Sequence, residues 1–253
     1  GTSSDFTHGV RLLFCGAAGF DYGSMNGDWS DHTTYIGCKF SGNNHGTGHD
    51  VENNYDFDYI SCFLECNTHC SSHLLTDAGV ANLSFIRTHL GFGQYGIFQD
   101  PTSTGKGYAG LTLIDSPIEA ISQQFMRMEY GGNIRVQGGY WLWSGTPANP
   151  ACYIKELNTG HIWISTRLES GTPNANSPAL VQIGAYAPGL EVEIETKLSG
   201  FAQTEYIGSA PALINKRSTT RFYQHGANRG VAFDANGLYL DAPGDIRFRN
   251  YSY

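Results

Sequence analysis

A motif that recurs about every two dozen residues constrains this chain more than any other feature. Tyr35-Ile36-Gly37-Cys38-Lys39-Phe40 and Tyr59-Ile60-Ser61-Cys62-Phe63-Leu64 stand 24 residues apart, and four of their six positions match in kind. Leu13-Phe14-Cys15 lies 23 residues before Ile36-Gly37-Cys38, and Asn82-Leu83-Ser84-Phe85 lies 23 after Tyr59-Ile60-Ser61-Cys62. Gly110-Leu111-Thr112-Leu113 follows after 28, and Ile134-Arg135-Val136 starts 23 beyond Leu111. Each unit is a short alternating strand followed by a polar stretch rich in Gly and Asn. Repeats of about 20 to 50 residues mark stacked architectures, in which a unit buries its apolar face only against its neighbours. No regular Leu ladder is present, and propeller blades need about 40 residues or more. Short parallel strands at this spacing predict a β-helix whose inward side chains stack in ladders. The expected ladders are Ile36/Ile60/Leu83/Leu111 and Cys15/Cys38/Cys62/Phe85.

That reading accounts for most of the cysteines as core, since Cys is among the most frequently buried residues. Six cysteines in 253 residues are too sparse for a disulfide scaffold. Fifteen Lys and Arg against 23 Asp and Glu leave a formal charge of −8, which argues against a nucleic-acid binder. No run approaches the roughly 18 apolar residues of a spanning helix, so no membrane insertion is expected. Gly1-Thr2-Ser3-Ser4 carries neither a charged nor an apolar leader region, so no signal peptide is expected in it.

Ser116-Pro117-Ile118-Glu119 fits a capping box, with Ile118, Ile121, Phe125 and Met128 on one helical face. Gln124 to Glu129 also alternates as a strand, and both alternatives stay open. Beyond Tyr140-Trp141-Leu142-Trp143 the repeat fades, and Thr146-Pro147-Ala148-Asn149-Pro150 looks like a break. Alternating segments follow at His161–Ser165, Leu180–Ile183 and Leu190–Glu195. Asn236-Gly237 between Val231–Ala235 and Leu238–Leu240 is a hairpin signal. Residues 1–150 are therefore expected to form the β-helix, and 151–253 a distinct antiparallel β module.

Acids and histidines concentrate in the first half. Residues 1–110 hold 11 acids, four bases and seven of the nine histidines. Glu65 points outward if Ile60, Cys62 and Leu64 point inward, and Arg87 and His89 would lie one rung away. Gly46-Thr47-Gly48-His49-Asp50 and Tyr55-Asp56-Phe57-Asp58 are the other dense acid sites. Asp50, Asp58 and Glu65 are the candidate carboxylates, with His49 and Arg87 assisting; glycoside hydrolysis needs two carboxyls about 5–10 Å apart. In a lyase reaction, His49 or a Tyr would be the base and Arg87 would neutralise the uronate. Tyr140, Trp141 and Trp143 could stack on sugars, as could Tyr22 and Trp29 in a loop with Asp21, Asp28 and Asp31. Cys62, Cys66, His69, Cys70 and His73 form a dense Cys/His run, yet their spacing departs from the usual zinc pattern and inward packing explains Cys62 and Cys66. No metal is expected. Gly46-Thr47-Gly48 has no lysine after it and is too weak for a phosphate loop.

A laddered solenoid followed by a β-rich tail ending in Ala242-Pro243-Gly244-Asp245-Ile246-Arg247-Phe248 resembles the bacteriophage tailspikes. The resemblance is architectural and rests on no invariant motif. It implies a right-handed parallel β-helix, an elongated homotrimer locked by its C-terminal module, and a location on the virion tail, outside cells. It implies binding, and often cleavage, of bacterial surface polysaccharide without a cofactor, and a virion-attachment domain upstream in the full-length protein. Two other functions fit the same solenoid: a non-catalytic adhesin or fibre domain, and a secreted pectate-lyase-like or epimerase enzyme.

Overall fold

The computed structural model describes residues 7–27, 30–49, 55–75, 80–100, 108–144, 149–157, 161–174, 181–186, 191–194, 197–201, 206–208, 213–216, 222–224, 229–234 and 237–241. The described residues contain strands and no helix. The protein is a parallel β-solenoid, built from three columns of stacked strands. The first column runs through Arg11–Leu13, Thr33–Ile36, Phe57–Ile60, Val80–Ile86, Tyr108–Ile114, the middle of Gln124–Trp143 and the start of His161–Asn174. It continues into Glu191–Ile194 and Leu213–Lys216. The helical alternative at Ser116 is not realised: Ile118–Ile121 and Gln124–Trp143 are strands.

Two ladders of the first column fill the core. One is Thr33/Phe57/Leu83/Leu111/Ile134/Ile162, the other Tyr35/Tyr59/Phe85/Leu113/Val136/Ile164. The expected Ile36/Ile60/Leu83/Leu111 ladder therefore mixes two sides. Ile36 and Ile60 pair onward with Ile86 and Ile114 and are only half-buried. The 23-residue step from Tyr59 to Asn82 causes the error, because Tyr59 stacks under Phe85, 26 residues on. A one-residue change of register in a strand exchanges its faces.

Corners between the first and second columns share one device. Phe14, Gly37, Ser61, Arg87 and Asp115 all take left-handed backbone, with φ of 52, 63, 52, 48 and 48°. Each is followed by a small side chain that donates a hydrogen bond. Cys38 Sγ reaches Leu12 O at 3.4 Å and Ile36 O at 3.7 Å. Cys62 Sγ reaches Tyr35 O and Ile60 O, both at 3.4 Å. Thr88 Oγ1 reaches Tyr59 O at 2.7 Å, and Ser116 Oγ reaches Phe85 O at 2.9 Å. The cysteine ladder is thus continued by Thr88 and Ser116 rather than by Phe85. Cys15 begins it but is exposed, while Cys38, Cys62, Cys66, Cys70 and Cys152 are buried; all six are free thiols.

The second column adds Phe40/Leu64/Leu90/Ile118/Trp141 to the core. The third column is polar inside at first and apolar later. Asn26, Thr47, His49 and Ser72 give way to Ile97, Met126, Cys152 and Val181. The early polar atoms meet the phenols of the first column: Tyr35 Oη donates to Asn26 Oδ1 at 2.7 Å, and Asn26 Nδ2 donates to Tyr59 Oη at 3.1 Å. Thr47 Oγ1 lies 2.7 Å from Tyr59 Oη, and the two tyrosine rings stack at 4.6 Å. Buried polar groups require such partners.

Parallel pairing does not stop near residue 150. Cys152–Leu157, His161–Asn174, Val181–Tyr186, Glu191–Ile194, Lys197–Phe201, Tyr206–Gly208 and Leu213–Lys216 all join the parallel columns. The antiparallel pairing expected from 151 onward is found in Phe222–Gln224, Arg229–Asp234 and Gly237–Asp241. Alternation of apolar and polar residues reports one buried face and not strand direction, so it could not separate the two.

Two outcomes are expected from this packing. Tyr59→Phe leaves Thr47 and Asn26 short of a buried partner and should lower unfolding free energy by about 1–3 kcal/mol in denaturant titrations. Burial pushes the Cys62 and Cys66 thiols up to about 11. A thiol reagent should therefore titrate Cys15 rapidly in the native protein and the other five only on unfolding; rapid native labelling of Cys38 or Cys62 would contradict the corner ladder.

Candidate functional site

Outward positions of neighbouring rungs place three titratable side chains together on the second column. The backbone of Glu65 pairs with Gly91, and Gly91 pairs with Glu119, so both glutamates stand in one file, two rungs apart. His89, two residues before Gly91, reaches both. Its Nδ1 lies 3.6 Å from Glu65 Oε1, and its Nε2 hydrogen-bonds Glu119 Oε1. Gly91 is required between them, since a Cβ there would lie 2.3 Å from the Glu119 carbonyl oxygen. Both carboxylates keep 26% of their side-chain surface exposed, against 11% for His89. The imidazole is flanked by Phe63 at 5.2 Å and Phe92 at 5.9 Å, and these rings are themselves about half exposed.

The structure thus brings His89 to Glu65, as rung spacing suggests, and adds Glu119. Arg87 occupies the left-handed corner and is exposed; among the described residues no ion pair joins it to Glu65. Asp58 is half-buried on the first column, beside Thr34 and Ser84, and so stands on another side of the solenoid. His49 is fully buried, edge-on to Phe57 at 4.8 Å, with neither ring nitrogen hydrogen-bonded. A core imidazole in that setting has no route to a substrate. Trp141 and Trp143 are also core, packed on Phe125 at 5.1 and 4.9 Å, which leaves Tyr140 facing solvent. Asp50 and Trp29 lie outside the described residues.

Tyr22 takes part in a second cluster, on the outer side of the third column. Its ring stacks on His45 at 4.4 Å, and its hydroxyl lies 2.8 Å from His73 Nδ1. His45 Nδ1 and His69 Nδ1 lie 3.2 and 3.3 Å from Cys70 Sγ. Cys70 is buried with Tyr95 and Phe98. A cavity of about 420 Å³, lined by His45, His69, His73, Phe98, Asp100 and Asn44 among others, opens beside them. The Gly46-Thr47-Gly48 stretch is explained here: a Cβ on Gly48 would lie 2.7 Å from the Tyr22 ring. The Cys/His run of the sequence is therefore split. Cys62 and Cys66 are inward, whereas His69, Cys70 and His73 join His45, whose pairing with Cys70 spans 25 residues.

Burial lowers the imidazoles of this region. His45 falls to about 4, with His69 adding to the effect and Asp21 opposing it. His73 falls to about 3, again mainly by burial and then by His45 and His69, and His49 falls to about 3 by burial. Burial carries the Cys70 thiol well above its ordinary value. A third feature is a groove of about 670 Å³ on the first column, lined by Asn82, Thr112, Asn133, Arg135, His161 and Trp163 among others. The Arg135 guanidinium sits 5.1 Å from the Trp163 ring centre. Sequence reasoning missed Glu119, His45 and this groove. The correct register, which puts Glu119 two rungs from Glu65, is the signal that would have found the first.

Comparisons with protein-family models, curated proteins and solved structures return no match. No helix of the described residues is long and apolar enough to cross a membrane. Fold and side-chain geometry together define a parallel β-solenoid with clusters of titratable side chains on its outer faces.

The depressed histidines set the acid response. The unfolded chain protonates them near pH 6.5, while native His49 stays neutral down to about 3, so the unfolded state binds more protons between these values. Stability should therefore fall as pH drops below 6.5. Denaturation midpoints at pH 7 and 4.5 test this, and His49→Leu should flatten the slope, at about 1.4 kcal/mol per pH unit for each such group.

Proposed function

We propose that this chain is a tailspike-type fragment that binds bacterial surface polysaccharide, capsule or O-antigen, and hydrolyses it. The observation that carries the reading is the Glu65–Glu119 pair in one outward file. Two strand spacings amount to about 9.6 Å between their backbones. Between them one imidazole touches both carboxyls, which brings their oxygens within about 8 Å of each other and so inside the separation of about 6.5–9.5 Å at which one carboxyl protonates the leaving oxygen and the other activates water. Glu119 and Glu65 are the acid–base pair, and His89 orients them by contacting both. The groove around Trp163 and Arg135 supports binding of a long sugar chain, offering an aromatic face beside amide and guanidinium donors. Tyr140 adds an exposed ring next to the core tryptophans.

In this reading the chain is a right-handed β-helix acting as a homotrimer on a virion tail, outside cells. Its antiparallel C-terminal strands serve as the locking module, and no cofactor is needed for hydrolysis. Exposed Leu13, Phe14, Phe20 and Met25 on the early rungs favour subunit contact. One observation favours a binding-only adhesin instead. His89 fills the space between the carboxylates, where the attacking water would sit. A lyase route through His49 finds no support, since that ring is in the core.

Incubation with a panel of bacterial polysaccharides, reading reducing ends and the ultraviolet absorbance of unsaturated uronates, separates the three. Hydrolysis yields reducing ends without that absorbance. Glu65→Gln and Glu119→Gln should each slow cleavage by about 10² or more with binding retained. Parental rates in both would reject the pair, and binding without any product would leave the adhesin.

A further inference from the structure

Four side chains on two adjacent rungs of the third column converge in a way the sugar chemistry does not use. One ligand-type atom from each of His45, His69, Cys70 and His73 lies within 4.8 Å of all the others. Cys70 Sγ is the hub, at 3.2 Å from His45 Nδ1 and 3.3 Å from His69 Nδ1. A single thiol proton can serve only one of these nitrogens. His73 completes the set from above. Its Nδ1 is held by Tyr22 Oη at 2.8 Å, and its Nε2 is buried with no hydrogen-bond partner. The residue keeps only 8% of its surface exposed. Here a buried, unpartnered ring nitrogen accompanies a thiol and two further imidazoles.

We infer that His45, His69, Cys70 and His73 form a four-coordinate site for a zinc ion, closed by protein ligands and clamping two rungs of the solenoid. Three imidazoles and one thiolate are a donor set that zinc takes in tetrahedral geometry. With Zn–S of about 2.3 Å and Zn–N of about 2.0–2.1 Å, such a centre puts sulfur and nitrogen about 3.5 Å apart. The observed Cys70 contacts need only open by a few tenths of an ångström. Tyr22 acts as the outer partner that fixes the His73 ring, the arrangement in which a ligating imidazole uses its second nitrogen to hold orientation. On binding, the Cys70 S–H bond breaks, sulfur keeps the electron pair to form the Zn–S bond, and the proton passes to the buffer. The site then carries one net positive charge. Asp100 borders the cavity, and Asn44, another lining residue, donates to Asp21 Oδ1 at 3.0 Å, so two carboxylates face that charge. Stabilisation follows because the unfolded chain cannot assemble four ligands drawn from residues 45 to 73 at one point.

This inference stands independently of the polysaccharide reading. The test uses the whole chain, stripped by chelator and dialysed against micromolar zinc or cobalt(II). The expected result is one metal per chain, a raised thermal midpoint, and a cobalt spectrum with a near-ultraviolet thiolate band and intense tetrahedral visible bands. Cys70→Ser should abolish the thiolate band. His69→Gln, at a half-exposed position that folding tolerates, should weaken zinc affinity at least tenfold. Tyr22→Phe should weaken it about tenfold while leaving the thiolate band in place. Cys15→Ser should change nothing. Far-UV circular dichroism confirms the fold of each variant; should Cys70→Ser fail to fold, His69→Gln and Tyr22→Phe decide. Absence of stoichiometric metal, a thiolate band that survives Cys70→Ser, or unchanged affinity in His69→Gln would overturn the site.

Discussion

Each early rung turns from its first to its second strand through a residue in left-handed backbone, and the side chain just after it ties the turn to the rung before. The left-handed conformation costs a non-glycine residue roughly 1–2 kcal/mol. Ser61, Arg87 and Asp115 all adopt it. What offsets the cost is a pair of bonds at each corner. The corner amide donates to the next rung, as Ser61 N does to Ile86 O at 2.9 Å, and the following hydroxyl or thiol donates to the preceding rung. At about 1 kcal/mol net for each bond, the two effects nearly cancel. The corner therefore persists only while its neighbours are stacked on it, and the rungs are stable together rather than singly.

The interior follows from the same stacking. Once Tyr35 and Tyr59 share a ladder, their hydroxyls need partners across the core, and Asn26 and Thr47 supply them, with Ser24 bonded in turn to Thr47. Further along the axis, Phe85, Leu113 and Val136 carry no hydroxyl, and the opposite column becomes Ile97, Met126 and Cys152. His49 sits in the same part of the interior but packs edge-on to Phe57, with neither ring nitrogen hydrogen-bonded.

Both outer sites exist because parallel stacking repeats outward positions at a strand's spacing. Residues far apart in sequence, Glu65 and Glu119, or His45 and Cys70, become near neighbours without any loop to position them. Rigid columns of this kind hold side chains more firmly than loops would. The two sites differ in solvation: the glutamates are partly exposed, whereas Cys70 and His73 are buried. That difference fits the two proposed roles, with a dissolved sugar chain at one and an ion held out of water at the other.

The repeat length, the alternation, the absence of a helical period in most units and the acidic first half were legible in the sequence, and they sufficed for a parallel β-solenoid. So was the outward direction of Glu65, because Cys62 and Leu64, which precede it in the strand, are apolar and inward. The Ile-x-Cys pattern also continued as Ile86-Arg87-Thr88 and Ile114-Asp115-Ser116, but Thr and Ser do not look like Cys until their shared hydrogen bond is seen. Tertiary structure alone decided the register, since rung offsets along the first column vary from 22 to 30 residues with loop length and no local signal records them. Register in turn decided that Trp141 and Trp143 face inward, that the strands between Cys152 and Lys216 pair in parallel, and that Glu119 and His45 stand beside partners one or two rungs away. The physical reason is that a strand's pattern specifies which of its faces is buried, while its neighbours across the stack are chosen by the packing of the whole column.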